Sequence, residues 1–165
     1  MNAKHCSLVP WLCIAAASCL MSAPAWAAIT CGASASGVVF GVYPQASPTP
    51  LDSTGLITLT CTKSPGPDNT LTYSIALSAG ASGSYAARTM TSGASTLSYN
   101  LYTDLARTLI WGNGIGGAQT VNGSVQGLSG SAATIFNFTI YGRVPALQNV
   151  NPGSYTDSIV VTVTY

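Results

Sequence analysis

The chain has 165 residues, of which 47% are hydrophobic and only 5% charged, with a formal net charge of +1. That length suits one domain, and so weak a charge excludes a nucleic-acid binder, whose affinity comes mostly from Lys and Arg neutralising phosphates. With no Glu and a single histidine, His5, the chain also lacks the side chains that most often do acid–base catalysis.

The first segment reads as a leader. Lys4 and His5 precede an apolar run over residues 8–21, and Ala23-Pro24-Ala25-Trp26-Ala27 puts small residues at −3 and −1 of a cut after Ala27. This layout predicts a secretory signal peptide over 1–27 and a folded domain over 28–165. The run is shorter than the roughly 20 residues a membrane span needs, and no second stretch like it follows. A competing reading is lipidation at Cys19, after Ala16-Ala17-Ser18. Ala16 stands where a lipoprotein site usually has Leu or a similar residue, which argues against it.

Loss of the leader removes Lys4, His5, Cys6, Cys13 and Cys19. Lys63, Arg88, Arg107 and Arg143 then face Asp52, Asp68, Asp104 and Asp157, so the formal charge is zero. A surface with so little charge lets like copies associate. Cys31 and Cys61 are the two cysteines that remain, and in an exported chain an even count reads as a disulfide. Its loop of about 30 residues would contribute roughly 3–4 kcal/mol on the chain-entropy model. A zinc site would lack its usual four ligands, and neither metal nor cofactor is expected.

From there onward period-2 alternation dominates and no helical periodicity shows. A first strand is predicted over 37–43, with Val38, Phe40 and Val42 on one side. A second covers 56–61, rich in β-formers. Residues 71–77 alternate cleanly, and Leu97, Tyr99 and Leu101 repeat the pattern. A short strand is expected over 108–111, another over 134–141 with Phe136, Phe138 and Ile140 on one face, and a last over 158–165. Turn chemistry at 44–50, 64–69, Gly112-Asn113-Gly114 and Asn122-Gly123 separates these runs. Asn-Gly is the pair a two-residue type I′ hairpin turn prefers. About seven short strands at this spacing predict an all-β, immunoglobulin-like sandwich. No Trp lies between the two cysteines, as a true antibody domain would have.

The motifs that carry chemistry elsewhere are weak here. A serine nucleophile would lack its usual base. Asp52-Ser53-Thr54-Gly55 is a distorted and unrepeated echo of an aspartic-protease motif, better read as a turn before the strand at Leu56. The glycine run over 112–117 opens no helix, as a phosphate loop should, and reads as a hairpin loop. Asp104 and Arg107 are expected to frame a turn, with any ion pair between them worth little. Two glycosylation sequons, Asn122-Gly123-Ser124 and Asn137-Phe138-Thr139, match by short pattern alone. The chain end stands out: Ile159, Val161, Val163 and Tyr165 alternate to the final residue. Chain ends ordinarily fray, so this strand is either an ordinary central strand or the border of a groove to which another chain adds a strand.

Several stretches together resemble the spore coat protein U domain family. They are Val39-Phe40-Gly41-Val42-Tyr43, Pro50-Leu51-Asp52-Ser53-Thr54-Gly55, Leu59-Thr60-Cys61-Thr62, Arg88-Thr89-Met90 and Tyr99-Asn100-Leu101-Tyr102-Thr103-Asp104. Further along come Ile110-Trp111-Gly112-Asn113-Gly114, Tyr141-Gly142-Arg143-Val144-Pro145 with Gln148, Pro152-Gly153-Ser154-Tyr155-Thr156-Asp157 and Val161-Thr162-Val163-Thr164-Tyr165. The resemblance implies a secreted bacterial β-sandwich, often a subunit of archaic chaperone–usher pili used in adhesion and biofilm formation. It further implies a sandwich that lacks its last strand. A periplasmic chaperone would lend that strand, an usher would assemble the fibre, and the next subunit's N-terminal arm would take the chaperone's place. Ile159, Val161, Val163 and Tyr165 would then form the partner-strand edge. One departure matters: after a cut at Ala27 only Ala28, Ile29 and Thr30 precede Cys31. Three residues reach only about 10 Å, so the chain is expected to accept a strand without donating one, as a tip or terminating subunit. The alternatives are a stand-alone coat or matrix protein with a complete sandwich, and a carbohydrate-binding module resting on Trp111 and several Tyr.

Overall fold

The computed structural model describes residues 28–66, 70–128 and 132–165; the expected leader over 1–27 and Cys19 within it lie outside them. Eight strands follow in order: β1 Ile29–Ser36, β2 Leu51–Lys63, β3 Leu71–Leu77, β4 Arg88–Ser92, β5 Ser95–Tyr102, β6 Val121–Val125, β7 Thr134–Val144 and β8 Val161–Thr164. They form two antiparallel sheets, β1-β2-β7-β5-β4 and β6-β3-β8, and there is no helix among the described residues. The alternation read from the sequence is what makes this a sandwich, because each strand has one apolar face to bury. In β2, Ile57, Leu59 and Cys61 are fully buried while Leu56 and Thr62 face outward.

The buried side chains form two clusters. One joins Leu59, Cys61, Leu71 and Leu128, with Cys31 and Phe136 packed on it. Cys31 and Cys61 sit directly opposite each other in the β1–β2 register, and the bond between them seals this end. The larger cluster holds Ile57, Ile75, Leu77, Leu97, Tyr99, Leu101, Trp111, Ile140 and Val144.

Several expectations need correcting. Residues 37–43 alternate like a strand but are not one, because among the described residues no backbone hydrogen bond joins them to a neighbouring strand. Val38 and Phe40 still turn inward onto the core. Gly41 then takes a positive φ of 74°, and Val42, expected on the same side, is 90% exposed. Asn122-Gly123 is not a turn: it lies inside β6, opposite Ser74 and Tyr73. Glycine is needed there because a Cβ would collide with the Tyr73 ring and hydroxyl. Residues 108–111 make only isolated pairings, Ile110 with Tyr102 and Trp111 with Gln119. Asp52-Ser53-Thr54-Gly55 is no turn either, since β2 already runs through it and on to Lys63. Arg107 pairs with Asp52 at 3.2 Å, not with Asp104. The Asp104 carboxylate instead caps its turn by accepting from the Thr108 and Leu109 amides and the Thr108 hydroxyl.

Candidate functional site: an open apolar groove

The larger core cluster is not closed on all sides. A groove of about 1020 Å³ opens beside it, floored by Leu77, Met90, Leu97, Tyr99, Leu101, Ile140 and Val144. One lip is the segment 35–43, the other the segment from Asn151 to Val161. Phe40 leans into the groove with its ring edge-on to Tyr99 at 6.0 Å. It can come that close to the sheet because Gly142 is bare, where a Cβ would stand 2.8 Å from the Phe40 ring and 2.7 Å from Val38. Side chains elsewhere tie down the first lip: Ser53 Oγ donates to the Val39 carbonyl at 2.6 Å, and Tyr43 donates to the Pro145 carbonyl at 2.8 Å.

The second lip leads into β8, which among the described residues pairs only with β3, from Leu77↔Val161 to Ser74↔Thr164. The direction of its free edge follows from one bond. The Ser78 amide donates to the Val160 carbonyl at 2.9 Å, so residues 160, 162 and 164 aim their backbone groups at β3. Alternation then aims the N–H and C=O of Val161 and Val163 away from β3, at the open side. The same two residues turn their side chains onto the core. Ile159 and Val161 line the groove, whereas Val163 packs deeper, touching both clusters. Tyr165 closes the far end, donating its hydroxyl to the Cys31 carbonyl at 3.1 Å. Backbone donors and acceptors above an apolar trough are the chemistry that a β-strand from another chain matches.

Polar side chains frame the groove. Asp157 is the one charged residue among its lining. Its Oδ2 accepts from the Tyr99 hydroxyl at 2.7 Å, and its Oδ1 from the Ala81 and Ser158 amides at 3.0 and 2.8 Å. Burial, reinforced by that carboxylate, pushes the Tyr99 phenol well above its ordinary range, so it stays a donor. Arg88, which sequence reading placed only within a family match, is fully buried. Its guanidinium donates to the carbonyls of Ser78 and Trp111 and to Asn100 Oδ1, at 2.7–3.2 Å, and lies over the Tyr85 ring. Burial lowers its pKa from the usual arginine value. Trp111 is 1% exposed and donates to the Ile75 carbonyl, which removes it from any sugar-binding surface. Among the described residues no three His, Cys, Asp or Glu side chains lie close enough to hold a metal ion, and no helix is long and apolar enough to cross a membrane.

Known proteins share this fold. One chain of the CsuC–CsuE chaperone–tip adhesion subunit pre-assembly complex, from the archaic chaperone–usher Csu pili of Acinetobacter baumannii, superposes with a TM-score of 0.51 at 20% identity. The match takes in 84% of this chain but spans only 40% of that one, and it establishes the immunoglobulin-like fold. Protein U of Myxococcus xanthus is 32% identical over 141 residues, covering 81% of this chain and 74% of the relative. The Spore Coat Protein U domain profile matches residues 16–162. On both the profile and the relative, the chain belongs to the Spore Coat Protein U domain family.

Proposed function

We propose that this chain is a non-enzymatic structural or adhesive subunit of a bacterial surface fibre of the archaic chaperone–usher type. It is exported through the inner membrane, passes through the periplasm and ends at the cell surface or outside the cell. Its groove accepts a β-strand, lent first by a periplasmic chaperone and then, at an usher, by a neighbouring subunit. The observation that carries this reading is an apolar trough lined by Ile159 and Val161, beside the Val161 and Val163 backbone that turns away from β3. The likeness to a chain of a chaperone–tip subunit complex supports it. If four or five inserted side chains are buried at roughly 1.5–3 kcal/mol each, the gain is on the order of 10 kcal/mol before ordering costs.

A tip or terminating position fits the start of the fold. Ile29 is already the first residue of β1, paired with Lys63, so a cut after Ala27 leaves no free arm to donate. Purified protein mixed with itself is expected to give no ladder of oligomers, and a detergent-resistant ladder would overturn the terminating role. The test of the main reading is equilibrium unfolding of the exported protein, alone and co-expressed with its cognate chaperone. A domain that is marginal alone and stable in a one-to-one complex supports strand acceptance. A stable, cooperative lone monomer would favour a coat or matrix protein whose sandwich is complete without a partner.

A further inference from the structure

The lip that carries β8 is fixed by side chains of the opposite sheet. Asp157 accepts three hydrogen bonds, one from Tyr99 of β5 and two from the backbone at Ala81 and Ser158. The chain passes so close to this carboxylate at Gly80, where φ is +70°, that any Cβ would collide with it. Two residues before Gly80, Ser78 Oγ accepts from the Val160 amide at 2.9 Å while the Ser78 amide donates to the Val160 carbonyl. Arg88 of β4 in turn holds the Ser78 carbonyl, and Thr91 and Thr156 exchange backbone bonds at 2.9 and 3.1 Å. These contacts all fall within residues 156–160, just before the groove edge.

We propose that Asp157 is the positioning residue of the groove: its clasp with Tyr99, Ala81 and Gly80 presets the open edge of β8, so that the free protein already presents a strand-ready lip. This rests on the strand-accepting reading of the groove, and it adds that the edge is ordered from within and not by the incoming strand. A preset edge raises the fraction of molecules competent to bind, and apparent affinity scales with that fraction.

Hydrogen exchange on the whole exported protein tests this without any partner. In Asp157→Ala, the amides of Thr162 and Thr164, which alternation directs at β3, are expected to exchange about tenfold faster or more. Those of β2 and β7 should stay within about twofold of the parent. Gly80→Ala should reproduce the pattern from the other side of the contact, and the double variant should add little. Asp157→Asn, which keeps the oxygen that receives the Ala81 and Ser158 amides, should restore most of the protection. Unchanged exchange in β8, or equal acceleration in every strand, overturns the proposal. A synthetic peptide with valine at every second position is then the binding probe. Its affinity should fall in Asp157→Ala by the same factor as the β8 protection. If the parent protein does not bind the peptide, the strand-accepting reading fails, while the exchange pattern still decides whether the clasp sets the edge.

Discussion

The two ends of this sandwich are built from the same kinds of residue and finish differently. Around Leu59, Leu71 and Leu128 the core is sealed by β1, by the Cys31–Cys61 bond and by Phe136. Around Leu97, Tyr99 and Leu101 an equally apolar core opens on a trough between two lips. Hydrophobicity alone therefore does not say which end is finished; the supply of backbone partners does. At the sealed end all eight residues of β1 pair with β2. At the open end residues 37–43 and the outer edge of β8 line the groove from two sides, with no strand between them among the described residues.

That contrast can be broken by substitution. Leu59→Ala should cost the most, about 4 kcal/mol, because the site is fully enclosed and keeps its cavity. Leu97→Ala should cost only about 2 kcal/mol, since the space it vacates adjoins the groove; denaturant unfolding of both variants would measure the gap, and equal losses would mean that the groove is shut in solution. Replacing Cys31 and Cys61 together by Ser should cost about 3.5 kcal/mol and should bring the sealed end closer in stability to the open one. Gly142→Ala comes next, at about 1–3 kcal/mol, because the new methyl would push Val38 and Phe40 off the sheet. Gly32→Ala, with nothing within 4 Å of the added carbon, is its neutral control.

The smallest effect belongs to Asp52. Its carboxyl is held below the usual range first by the hydrogen bond from Arg143, with burial opposing and the charges of Arg107 and Arg143 assisting. A depressed folded-state pKa means that the contribution is present above the unfolded value near 3.8 and is lost as pH falls through the lower folded one. Because the pair is solvent-screened, with Asp52 35% exposed, Asp52→Asn should cost under about 1 kcal/mol. The parent and this variant should converge in stability only once the pH lies below that lowered folded-state pKa.

Legibility in the sequence followed the physics of each element. Residues 71–77 were readable to the residue because a central strand buries one face and alternates strictly. β1 went unseen, since Gly32, Ala33, Ser34, Ala35 and Ser36 make an exposed edge strand with no apolar rhythm. The opposite error arose at 37–43, where side chains alternate but the backbone lacks a neighbour, and pattern reading cannot count neighbours. Asn122-Gly123 misled because a glycine demanded by Tyr73 from across the sheet looks like a turn glycine. Of the groove lining, Ile159 and Val161 stand out in the sequence by their alternation. The lip at 35–43, the Asp157 clasp and the pairing of Arg107 with Asp52 depend on contacts between distant parts of the chain, which spacing does not encode.

The sparse charge of the chain has a kinetic consequence. Only 5% of its residues are charged and they nearly balance in sign, so the long-range field around the protein is weak. Electrostatic steering accelerates encounters only where such a field exists. Whatever partner this protein meets, their association rate should hardly change between low and high ionic strength, and collisions must be made productive by local concentration.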